Sequence, residues 1–270
     1  MSAPSRSRWQ GALLRAGVSA VLLLVVGTFL DVTEVIARLR DLSPPWVVLG
    51  VVISVFQITI LAWRWKFTAA RLYIDLPMRH AVCEYYLGFF LNQVLPGGVV
   101  GDASRAWRHA RTTALTGSAV RAVVLERASG QAVMTGVAIL SLVSLPIASV
   151  ALRASIAGLG VGVALVTTLF IRIRKFPLAG AYPDSLGGRI WSDTHAAVLS
   201  RTALPVQLSS ATILVASYVG VYLVAARAVG VETPLIELAP LVAPVLMTML
   251  IPVSIAGWGI REGAAAALWT

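Results

Sequence analysis

The stretch "LNQVLPGGVVGDASRAWRH", Leu91–His109, follows a run of apolar and aromatic residues and decides how the rest of the chain is read. A greasy segment stops at Pro96-Gly97-Gly98 and turns to acid and base. Proline removes a backbone donor and glycine opens dihedrals closed to other residues, so this tripeptide ends a helix and frees polar backbone groups. After Gly101 the pattern predicts a new helix. Asp102 suits its N-cap, and Arg105, three residues on, can pair with it. Glu84 and Asn92 lie inside the preceding apolar arm.

Composition says what solvent surrounds that break. Apolar residues make up 58% of the 270 residues and charged residues 13%, with a mean hydropathy of +0.83. Soluble domains hold about 45–50% apolar and about 25% charged residues, so the chain reads as an integral membrane protein. The formal net charge of +10 is spread in clusters between apolar runs. That pattern orients a membrane protein and argues against nucleic-acid binding. Cys83 is the single cysteine, which rules out an intrachain disulfide.

A membrane-crossing helix needs about 20 mostly apolar residues. Gly11–Leu30, Pro45–Trp63, Ser118–Ile147, Ser155–Ile171 and Val206–Ala226 meet this, in one integral membrane domain over residues 1–270. "AGVSAVLLLVVGTFL" resembles a signal peptide, but no small-residue cleavage site follows, so it reads as an uncleaved first span. Two further segments are broken: Ala81–Val100 at Pro96-Gly97-Gly98, and Leu235–Ala256 with Pro240, Pro244 and Pro252. Residues 260–270 reach about 17 Å as a helix, too short to cross. Gly158 and Gly162 have the small-residue spacing of close helix packing. Between Arg189 and Arg201, "RIWSDTHAAVLSR" reads either as a short surface-lying helix or as a polar connector.

Lysine and arginine fall in alternate loops, which places the N-terminus in the cytoplasm. Arg6, Arg8 and Arg15, then Arg64, Lys66, Arg71 and Arg79, then Arg105, Arg108, Arg111 and Arg121, then Arg172 to Arg201 lie on that side. The loops flanking Ala81–Val100 are both basic, so that segment is expected to leave and return on the same face. Non-helical backbone at membrane depth is tolerated only where protein or a water-filled cavity surrounds it. The expected fold is an all-α, polytopic membrane helix bundle with two broken or re-entrant segments.

Three places carry expensive groups. The first is Glu84 to Arg105, which reads either as a ligand site or as a helix cap plus an interfacial arginine. The second is "VLERASG": Glu126 and Arg127 point about 100° apart on a helix, so each needs a partner elsewhere, in another helix or in a substrate. The third is "IPVSIAGWGIREG", where Pro252, Ser254, Gly257 and Gly259 break an apolar segment before Arg261-Glu262. By the loop charges it enters from the opposite face to the first. Two interrupted segments in opposite orientations point to a midplane binding site between inverted halves.

Some chemistries are missing. "GGVVGD" lacks the Gly-Lys-Ser/Thr ending of a phosphate-binding loop. His80, His109 and His195 stand apart from other ligands at metal-binding spacing and read as interfacial histidines. No cofactor, metal site or catalytic constellation is expected.

Together, Asn92, Pro96, Gly98, Gly101, Asp102 and Arg105, then Glu126 and Arg127, then Pro252, Ser254, Gly257, Gly259, Arg261 and Glu262 resemble the motifs of the lysylphosphatidylglycerol synthase transmembrane-region, or flippase-like, family. The likeness covers nearly the whole chain. It implies a multi-pass inner-membrane protein that binds, translocates or handles a phospholipid, polyprenyl-phosphate or hopanoid-type lipid at those positions. The resemblance implies no aminoacyl transfer within these 270 residues, since the best-known members carry that activity on a separate soluble domain. Members of this family usually continue for another span after the last motif, so the resemblance implies a final helix that is shortened or cut off. Two other classes fit the same residues: an enzyme using Asp102 or Glu126 as base on a lipid or lipid carrier, and a scaffold for lipid- or glycan-synthesis enzymes. Neither the lipid nor the oligomeric state is legible.

Overall fold

Helices account for the elements of the computed structural model, which describes residues 32–94, 100–144, 186–248 and 259–269, with Gly17, Val21 and Leu24. The expected spans Gly11–Leu30, apart from those three positions, and Ser155–Ile171 lie outside them, as does the Gly158/Gly162 pair. Among the described residues are α1 (Val32–Arg40), α2 (Pro44–Arg71), α3 (Met78–Val94), α4 (Val100–Arg111), α5 (Thr116–Ser144), α6 (Leu186–Thr194), α7 (Leu204–Ala228), α8 (Leu235–Met247) and α9 (Ile260–Trp269). A five-residue π-helical turn, His195–Leu199, continues from α6.

α2, α5 and α7 are long and apolar enough to cross a bilayer, with mean hydropathies of 2.2, 1.2 and 1.8. Their outward faces stay apolar: Val47, Val48, Val51, Val52, Val55 and Phe56 of α2 are all exposed. In water such a stripe would drive aggregation; in a bilayer it meets lipid.

Local chemistry sets the helix ends. Proline suits the first turn, where its missing N–H has no partner to lose; Pro44-Pro45 opens α2 and Pro205 follows the start of α7. α7 closes on Gly230 at φ 80, with Val231 N–H donating to Ala226 O and Gly230 N–H to Arg227 O. This is a Schellman ending, and the left-handed residue in it is ordinarily glycine. The Arg227 guanidinium adds hydrogen bonds to the carbonyls of Val231 and Thr233.

Pro240 and Pro244 do not break the chain as the sequence suggests. α8 runs through both. Spaced four apart, they share one face, so the missing donors fall on one side of the helix. Leu238, Leu241, Val242, Ala243 and Val245 are buried around them. α8 ends at Met247, and Pro252, Ser254 and Gly257 lie outside the described residues, as do Pro96, Gly97 and Gly98.

Two compact units are present. The first comprises Met1–Ile58, Cys83–Arg105 and Ser217–Thr270; the second comprises Thr59–Val82 and Ala106–Ala216. The core of the first centres on α8, with Tyr85, Val224 and Ala228 also buried. That of the second is rich in alanine: Ala62, Ala69, Ala81, Ala119, Ala122, Ala197 and Ala203 are at most a trace exposed. Small side chains let helix backbones approach closely, which is how helices associate without a hydrophobic driving force between them. Within the 189–201 stretch the chain is helical to Leu199, and all of it belongs to this second unit. It is held to α5 by an Arg121–Asp193 ion pair of 2.5 Å, with Ala197 fully buried.

Candidate functional site

In the first unit the end of α3 and the start of α4 meet. Asn92 Oδ1 accepts from the Gly101 N–H at 2.7 Å, and its Nδ2 lies 3.4 Å from Asp102 Oδ2. The asparagine thus satisfies an orphan donor of the α4 N-terminus from nine residues away. The contact depends on glycine: a Cβ on Gly101 would fall 1.9 Å from Gly88 O and 2.8 Å from Asn92 Oδ1.

Asp102 does not cap α4. It sits within the first turn, because the helix already begins at Val100. There its carboxylate complements the positive helix end, while Arg108, His109 and Arg111 complement the last turn. Asp102 Oδ1 accepts from Arg105 Nη2 at 3.1 Å. The Arg105 guanidinium stacks 3.9 Å from the Tyr85 ring centroid and is 1% exposed. A desolvated cation–π contact contributes about 2 kcal/mol, which offsets part of the cost of burying this guanidinium.

The third motif, also in the first unit, forms the glutamate half of a capping box. Gly259 stands at φ 87, and its N–H donates to Glu262 Oε2 at 2.7 Å. Arg261 binds the other oxygen, Glu262 Oε1, through Nε at 2.9 Å and Nη2 at 2.5 Å. A glutamate three residues into a helix that returns to the cap N–H satisfies one of the orphan donors. Alanine at Gly259 is expected to cost about 1–2 kcal/mol through the left-handed dihedral alone, read as a lower thermal transition in detergent; an unchanged transition would count against the assigned φ.

Glu126 belongs to the second unit. Its Oε1 lies 4.0 Å from Arg64 Nε, and both side chains are nearly inaccessible, at 2% and 1%. Arg64 Nη2 donates to Ser129 Oγ at 2.9 Å and Gln207 Oε1 at 3.1 Å. Gln207 Nε2 donates to Thr68 Oγ1 and to Ala197 O of the π-helical turn. The Gln207 amide therefore uses its carbonyl and both donors. Arg127, one residue along, is exposed, so the pair diverges as helix geometry requires.

Sequence reasoning missed Arg64, Thr68, Ser129 and Gln207, along with Tyr85 and Gly88. Hydropathy ends the span at Trp63 and leaves Arg64 as a loop cation, whereas α2 runs on to Arg71 and buries Arg64. His109 is likewise buried, edge-on to Trp65 at 5.0 Å. The signal available for Arg64 was its place within a helical turn of apolar residues on both sides.

A family model described as the lysylphosphatidylglycerol synthase TM region matches residues 12–270. The chain belongs to that family. It is therefore a membrane protein of the lysylphosphatidylglycerol synthase TM-region type. It also resembles a UPF0104 membrane protein of Methanocaldococcus jannaschii, with 26% identity over 114 residues, covering 41% of this chain and 33% of the archaeal protein. The matched region spans about a third of that relative's length. No solved structure matches the chain.

Proposed function

We propose that this chain is a flippase-like lipid-binding protein of the inner (plasma) membrane with a cytoplasmic N-terminus. Its substrate carries a phosphate, on a phospholipid or a polyprenyl carrier. The observation that carries this reading is Arg105, a buried guanidinium held by Asp102 and Tyr85 beside a helix N-terminus in an apolar chain. A guanidinium matches phosphate with two parallel hydrogen bonds, so a head group takes the place of Asp102 on Arg105. The orphan donors at the start of α4 favour the same negative charge. The family's name supports a lipid rather than a soluble anion. On this reading the end of α3 and the start of α4 belong to a re-entrant segment, and Gly259, Arg261 and Glu262 form its counterpart on the opposite membrane face.

The test is a leaflet-transfer assay in proteoliposomes carrying labelled phosphatidylglycerol or a short polyprenyl phosphate. Arg105→Ala is expected to slow transfer at least about tenfold, since a charge-assisted bond is worth about 1.5–3 kcal/mol. Arg105→Lys should recover only part, lacking the planar fork. Transfer no faster than in protein-free vesicles would sink the translocase reading, and accumulation of a modified lipid would replace it with an enzyme.

A further inference from the structure

A second site lies in the second unit, and none of its lining residues belongs to Glu84–Arg105, Glu126–Arg127 or Pro252–Glu262. A cavity of about 280 Å³ is lined by Asp75, Leu76, Pro77, His80, His109, Thr112 and Thr113. It is formed by the α2–α3 connection, the first turn of α3, and the residues closing α4. That volume is just below the roughly 300–1,000 Å³ of ordinary small-molecule pockets; it suits a head group rather than a whole lipid.

The lining chemistry selects the ligand. Asp75 supplies the sole carboxylate, and no lysine or arginine lines the cavity. Neither the Asp75 nor the His80 side chain makes a hydrogen bond or ion pair among the described residues. Thr112 Oγ1 donates to the His109 carbonyl at 2.9 Å, which leaves the hydroxyl its acceptor capacity, and Thr113 Oγ1 accepts from the Leu115 N–H. A neutral imidazole offers one donor and one acceptor, and a carboxylate only acceptors. The set is therefore rich in acceptors and carries one negative charge. Its complement is a cation with several N–H donors, which a primary ammonium supplies and a quaternary one does not.

The backbone beside Asp75 is held in an unusual form. Tyr73 has φ 61 in a Schellman ending of α2, with Ile74 N–H bonded to Ala69 O and Tyr73 N–H to Ala70 O. A left-handed non-glycine residue costs about 1–2 kcal/mol. From there the chain alternates, with Leu72, Ile74 and Leu76 buried and Tyr73, Asp75 and Pro77 exposed. Tyr73 is 92% exposed. Exposed tyrosines of membrane proteins gather at the head-group level, and the loop charges read this face as cytoplasmic.

We propose that this cavity binds the primary ammonium of a phospholipid head group in the cytoplasmic leaflet. Arg79, next to His80 in the chain, adds positive charge for the adjoining phosphodiester. The site goes beyond the translocation reading, because binding is measured without leaflet transfer: a protein that moves no lipid still tests it.

The experiment uses the full chain in detergent, titrated with dihexanoyl phosphatidylethanolamine, dihexanoyl phosphatidylcholine and free ethanolamine. The ethanolamine lipid is expected to saturate, with the choline lipid at least about tenfold weaker for want of N–H donors. Asp75→Asn should weaken the ethanolamine lipid about tenfold by losing a charge-assisted bond. Asp75 is exposed, so the variant should keep the parent's elution volume and thermal transition; Thr113→Val provides an independent second variant with a smaller loss. Equal affinity for the two lipids, or unchanged binding in both variants, would overturn the proposal. Free ethanolamine binding as tightly as the lipid would overturn the head-group assignment in favour of a soluble amine.

Discussion

Alanine at Gly101 is expected to lower the stability of the protein by about 3 kcal/mol, at the upper end of ordinary overpacking. Gly101 is the second residue of α4, where glycine-to-alanine would normally gain up to about 1 kcal/mol of helix propensity. Sterics reverse the sign. The new methyl would stand 1.9 Å from the Gly88 carbonyl oxygen and 2.8 Å from Asn92 Oδ1. The first is backbone inside α3, so no side chain can swing aside, and relief requires α4 to move off α3. That movement breaks the Asn92–Gly101 and Asn92–Asp102 contacts together. Gly88→Ala is the control, because its Cβ would lie 3.4 Å from Gly101 O, an ordinary to tight contact. Thermal unfolding in detergent should show a large drop for Gly101→Ala and a change within about 1 kcal/mol for Gly88→Ala. Equal drops in the two variants would show that the close approach is not the cause.

The second large effect is expected at Glu126. Glu126→Ala leaves the buried Arg64 with Ser129 and Gln207, two neutral partners. Breaking one side of a buried ion pair costs about 3–5 kcal/mol, mostly from the uncompensated charge left behind. Two donors of Arg64, Nε and Nη1, already lack a hydrogen-bond partner among the described residues, so the group has little in reserve. Replacing both members with apolar residues of similar size, Arg64→Met with Glu126→Leu, should recover most of that loss. Recovery should be incomplete, because Gln207 Oε1 loses its guanidinium donor while keeping Ser129. A double variant no more stable than Glu126→Ala alone would show that the loss does not come from an uncompensated Arg64 charge.

How much of this was legible depends on chain distance. Asp102 and Arg105 pair across three residues, and Gly259 with Glu262 across three, so helix periodicity and cap chemistry reach both. The placement of Asp102 shows the limit of that reasoning. An aspartate before an arginine suits a cap, yet α4 starts two residues earlier because Asn92 already serves the Gly101 N–H. Pro240 and Pro244 show another limit, since burial of α8 keeps helical a segment whose prolines read as breaks.

Composition and local pattern alone determined the membrane character, the helical class and the family, because transfer energy adds residue by residue and family motifs are contiguous. Only tertiary structure decided which groups meet. Arg64 finds Ser129 and Gln207 at separations of 65 and 143 residues. Asp75 and His109 come to line one cavity from different helix ends. Hydropathy scores each residue by what it is, whereas a buried charge is stabilised by what another helix face brings to it.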